Sequence, residues 1–129
     1  MTKGQQVLAI SCGLEAATGL GLLVAPAVVA SLVLGAGIAG PATIIGKVAG
    51  LALISLAIAC WPRVDTKGEG AYLAMLIYNA LVALLLAEAG ATAKATGIML
   101  WPIVVTHLVF AALIALASFG GRRENAHHV

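Results

Sequence analysis

Residues 71–89 read AYLAMLIYNALVALLLAEA, and the single charge among them, Glu88, stands near the end. As a helix this run is about 28 Å long at 1.5 Å per residue, close to the hydrocarbon thickness of a bilayer. The stretch therefore predicts a membrane-spanning helix. The same reading carried outward gives spans at about 6–25, 41–61 and 98–119. The chain reads as all-α, an integral membrane four-helix bundle with both termini on the same side.

Composition supports that reading. Of 129 residues, 62% are hydrophobic and 9% are charged. Soluble domains carry about 25% charged residues. A water-soluble fold already leaves about 55–60% of its surface apolar and has nowhere to put this excess. A bilayer removes the difficulty by acting as the solvent. Four spans use most of the chain, so residues 1–129 read as one transmembrane domain, with 120–129 as a polar tail. The formal charge of +2 is small and dispersed. With no basic stripe interleaved with aromatics, nucleic-acid binding is set aside. Cys12 and Cys60 offer neither a disulfide framework nor zinc spacing and read as apolar filler.

Punctuation between the spans is clear. Pro26 ends or kinks the first. AVVASLVLG at 27–35 is too short to cross, and is either an extension of the first helix or a short interfacial one. GAGIAGPA at 35–42 marks a turn, with Pro41 suited to a first helical position. PRVDTKGEG at 62–70 and GATAKATG at 90–97 are loops.

Lys and Arg next to the spans set the orientation. Lys3, Arg63, Lys67, Arg122 and Arg123 fall on one side, against Lys94 and Lys47 on the other. The bias predicts cytoplasmic termini in a bacterial plasma membrane. Trp61 and Trp101 fall at span ends, where interfacial anchors belong, and each precedes a proline.

Four polar residues inside the spans need a reason, because a charge at the bilayer centre costs about 2.5–3.5 kcal/mol on insertion scales. Glu15 lies about ten residues from the outer end of its span, roughly 15 Å deep. His107 lies at a similar depth in the fourth span, and Asn79 near the middle of the third. Lys47 is some two turns into the second, and its long side chain can reach either way. Glu15 shares a helical face with Ser11, Cys12, Thr18 and Gly19. The expectation is that Glu15 meets Lys47, with His107 or Asn79 as a further partner. Such a group is either a structural ion pair or a polar pocket open to the outer side. A protonated, neutral Glu15 fits the same position. One membrane histidine gives no bis-histidine haem site, and His127 and His128 in the tail make a poor metal site, so no metal is expected.

Packing signals lie elsewhere. Ala9, Gly13, Ala17 and Gly21 form a small-residue ridge at four-residue spacing, and Gly46 with Gly50 forms a GxxxG. Inside lipid, close packing rather than hydrophobicity draws helices together. These surfaces are expected to join helices within one bundle, with oligomerisation as the other use.

The Gly-Leu-rich first helix (GLEAATGLGLLVAP, 13–26) and a second helix opening with a basic residue beside glycine (GKVAGLALISLAIACW, 46–61) resemble the small bacterial four-helix membrane proteins grouped as DoxX-like. That resemblance implies a place for Lys47 at the family's basic position, where arginine is the commoner residue. It further implies a link to quinone-dependent membrane redox chemistry for some relatives.

No nucleophile elbow, metal cluster or phosphate loop is present. The leading expectation is a non-enzymatic subunit or accessory protein, packed against itself or a partner in the lipid bilayer and holding no cofactor. The alternative is a small carrier or ligand-binding bundle around Glu15 and Lys47. A quinone-linked redox protein is implied by the resemblance alone.

Overall fold

The computed structural model describes residues 1–63 and 69–126, with side chains as far as residue 118. Lys67, His127 and His128, and the side chains of Arg122 and Arg123, lie outside the described residues. Five helices follow in order: α1 (Lys3–Val24), α2 (Pro26–Leu34), α3 (Pro41–Ala59), α4 (Glu69–Ala91) and α5 (Leu100–Ala126). There is no strand among the described residues.

Local chemistry sets the helix ends. Thr2 and Gln5 form a reciprocal capping box at the start of α1, with Thr2 N–H donating to Gln5 Oε1 at 2.8 Å and Gln5 N–H donating to Thr2 Oγ1 at 3.2 Å. Pro26 has no N–H to continue the ladder, so α1 stops at Val24 and the chain turns at Ala25. Residues 26–34 therefore form a helix of their own rather than an extension of α1. Gly35, at φ +83°, ends α2 in a left-handed conformation that side chains disfavour. Pro41 opens α3. At the chain's end, α5 runs beyond the membrane-length segment into the polar tail as far as Ala126.

Four helices are long and apolar enough to cross a membrane: α1, α3, α4 and α5 over Leu100–Ser118. Their outer faces are apolar, with Leu85 66% and Leu116 70% exposed. A surface of that kind suits hydrocarbon rather than water. Trp61 and Trp101 stand half-exposed at helix ends.

The helices pack as two pairs, α1 with α3 and α4 with α5, joined mainly through α1 and α5. Gly19 and Gly50 bring α1 and α3 together. A Cβ on Gly19 would stand 2.6 Å from the Gly50 carbonyl oxygen, and one on Gly50 would stand 3.0 Å from Leu23 N, so both must be glycine for the backbones to approach. At one end of the bundle Leu8, Cys12, Ala57, Cys60, Met75 and Ile114 form a closed core. At the other end α2 bridges α1, α3 and α5. There Thr96 N–H donates to Leu34 O at 3.0 Å and Met99 N–H to Leu32 O at 2.9 Å, tying the α4–α5 connection to the last carbonyls of α2. One half of the bundle is packed solid. The other half is hollow.

Candidate functional site

The hollow half is a cavity of about 600 Å³. Its walls are apolar, with Leu22, Val33, Ile45, Val82, Leu86 and Ile103 drawn from all five helices. Its polar lining consists of Glu15, Thr18, Tyr78, Thr106 and His107.

Each of these polar groups is held by its own bonds. Thr18 and Thr106 turn their hydroxyls back on their own helices, donating to Leu14 O at 2.9 Å and Pro102 O at 2.8 Å. Tyr78 Oη donates to Glu15 Oε2 at 2.8 Å. The other carboxylate oxygen, Oε1, stands 3.9 Å from His107 Nδ1, too far for a hydrogen bond. Tyr78 and His107 rings meet edge to face, 5.8 Å apart at 76°.

Behind the floor, Asn79 is fully buried and orients the histidine. Its amide Nδ2 donates to Met75 O at 2.8 Å and Ser11 Oγ at 3.4 Å. That leaves Oδ1 as the acceptor facing His107 Nδ1 at 2.8 Å. In the neutral imidazole the proton is therefore on Nδ1 and the lone pair on Nε2. Every buried side-chain nitrogen or oxygen among the described residues has a partner. No hydrogen bond engages Nε2 among those residues, and Nε2 is not fully buried. The same reasoning applies to Glu15 Oε1.

Three of the four polar residues singled out in the sequence, Glu15, Asn79 and His107, come together here. Lys47 does not. It is exposed on α3, and among the described residues no hydrogen bond or ion pair joins it to Glu15. The cause is helix register. With α1 and α3 antiparallel and Gly19 facing Gly50, Glu15 is level with Ile54, and Lys47 lies about two turns back toward the start of α3. The expected Glu15–Lys47 pair is replaced by a Glu15–Tyr78 hydrogen bond. Glu88, by contrast, pairs with Lys94 at 2.9 Å on the exposed surface.

The small-residue ridge also turns out differently. Gly13 has nothing within 4 Å of where its Cβ would be, and Ala17 is exposed. Gly21 meets a neighbouring helix, at Val29 of α2, and Ala9 is half-buried. Helix α1 packs through the adjacent face of Leu8, Cys12, Glu15 and Gly19. Gly46 lies against Pro26 and Ile38 beside the cavity.

Tyr78 escaped the sequence reading. The signal for it was its place next to Asn79 in mid-span, a hydroxyl that needs a partner in any apolar setting. No group of three metal-binding side chains occurs among the described residues. Comparison with known proteins returns no matching family model, curated protein or solved structure. The DoxX-like resemblance rests only on the residues that suggested it.

Proposed function

We propose that the chain is a multi-pass protein of a bacterial plasma membrane, with cytoplasmic termini, that binds a membrane-dissolved small molecule in the cavity between its helix pairs. The observation that carries this reading is the polar floor of Glu15, Tyr78 and His107 beneath apolar walls. About 600 Å³ falls within the range of small-molecule sites, which are mostly apolar with a few placed polar groups. A purely structural polar cluster has no need of a hollow above it. The function is binding or carriage, with no catalytic group assigned. A quinone is one class of membrane-dissolved occupant, and a redox role for it rests on the DoxX-like resemblance alone.

The test is native mass spectrometry of gently extracted protein, with a variant whose cavity is filled by Val82→Trp and Ile103→Trp. The natural chain retains a small-molecule mass that the filled variant loses. Identical bound material in both would sink the proposal.

A second reading, a subunit packed against itself or a partner, draws on the open face of α1 at Gly13 and Ala17. Cysteines introduced at these two positions would cross-link within the native membrane if that face is an interface. Their failure to do so would remove it.

A further inference from the structure

The cavity's polar side chains have one property in common: each has already given its hydrogen away. Thr18 and Thr106 donate to their own helices. Tyr78 donates to Glu15. The Nδ1 proton of His107 goes to Asn79, whose amide orientation is fixed by its bonds to Met75 and Ser11. Glu15, His107 and the two threonines line the hollow, and what their bonds leave free among the described residues is Glu15 Oε1, His107 Nε2 and the threonine lone pairs; with Glu15 as the carboxylate this is a set of acceptors without a donor. Glu15 itself is only 4% exposed and has no Lys or Arg partner among the described residues. Lys47 lies two turns away in register, and Lys94 is engaged by Glu88.

We infer that the ligand is a lipophilic amine, bound as the ammonium, with its N–H groups donating to Glu15 Oε1 and His107 Nε2 and its hydrocarbon body along the leucine and valine walls. This rests on the ligand-binding reading above and names the chemistry of the occupant. An ammonium group brings both things the floor lacks, hydrogen-bond donors and a positive charge. A neutral alcohol, with one O–H, would answer one of the two acceptors and leave the carboxylate uncompensated in apolar surroundings. A quaternary ammonium would match the charge and leave the acceptors unanswered. An oxidised quinone, whose carbonyls only accept, would add acceptors to acceptors. The assignment holds wherever the shared proton sits. Carboxylate with ammonium and carboxylic acid with amine are one composition.

The experiment uses the whole protein in lipid nanodiscs and three probes sharing one diazirine-bearing alkyl chain: a primary amine, its N-trimethyl analogue and the alcohol. Labelling of the peptides that carry Val82, Leu86 and Ile103 is measured against the membrane concentration of each probe. The primary amine reaches half-labelling at a concentration lower by about tenfold or more than either analogue, the scale of a hydrogen bond to a charged group. Glu15→Gln removes that advantage. If this variant fails to fold, the comparison of three probes on the natural chain still decides the matter. Equal labelling by the alcohol would overturn the ammonium head and leave the binding cavity standing. Equal labelling by the trimethyl analogue would overturn the N–H contacts in the same way. Absence of wall labelling by every probe would overturn the cavity reading and this inference with it.

Discussion

Tyr78 on α4 donates its hydroxyl hydrogen to Oε2 of Glu15 on α1 at 2.8 Å. The two helices otherwise touch sparingly, each packing mainly on its own partner. This bond therefore links the two helix pairs at the depth where the packed half gives way to the hollow one. Glu15 is buried, which shields the bond from competing water.

A double-mutant cycle of Glu15→Gln and Tyr78→Phe measures this bond. The coupling energy is expected at about 0.6 kcal/mol and no more than about 1.7 kcal/mol, the mean and upper limit for interhelical hydrogen bonds in a membrane bundle. Unfolding in mixed micelles by a denaturing detergent reads it. Additive single effects would show that the two side chains do not bond.

The imidazole of His107 carries its proton on Nδ1, held by Asn79 Oδ1. Nitrogen-15 NMR of labelled histidine, with His127 and His128 replaced by glutamine, should find that tautomer dominant. Asn79→Leu abolishes the preference and costs about 1–3 kcal/mol, since it strands a buried donor. A dominant Nε2–H form in the natural chain would contradict the assignment.

Gly19→Ala and Gly50→Ala each place a methyl against backbone of the facing helix. Overpacking of this kind costs about 1–3 kcal/mol. Gly13→Ala, which meets open space, should change stability by less than about 0.5 kcal/mol. Equal effects at all three positions would show that α1 packs through the other face.

Lys47→Met should leave stability within about 0.5 kcal/mol of the natural chain, as for surface positions generally. Removing one partner of a buried ion pair would instead cost about 3–5 kcal/mol. A loss on that scale would restore the Glu15–Lys47 pair.

Length and hydropathy carried the architecture in the sequence. The run at 71–89 is a helix long and apolar enough to cross a membrane, and Pro26, Gly35 and Pro41 set the breaks where the chain has them. The polar layer was legible because an amide, a carboxylate and an imidazole in mid-span each demand partners. Which partners was not. Depth along one helix says nothing about register between two, and that register is set by Gly19 against Gly50. Lys47 was assigned by depth and reach, and lost its place to a tyrosine that the sequence reading did not single out. Within the chain, the ridge at Ala9, Gly13, Ala17 and Gly21 is not the main packing face of α1, for a related reason. Small residues at four-residue spacing permit close approach, but the face actually used is the one that also buries Glu15 and Cys12.

The tie between α2 and the α4–α5 connection has a consequence for how the protein is made. The carbonyls of Leu32 and Leu34 belong to a segment that leaves the ribosome early, and the amides of Thr96 and Met99 belong to one that leaves late. Until the chain beyond α3 and α4 has been made, the end of α2 has no amides to receive. Closure of the hollow end is thus a late act of biosynthesis, and a chain arrested before residue 96 would hold its first four helices around a chamber with one side missing.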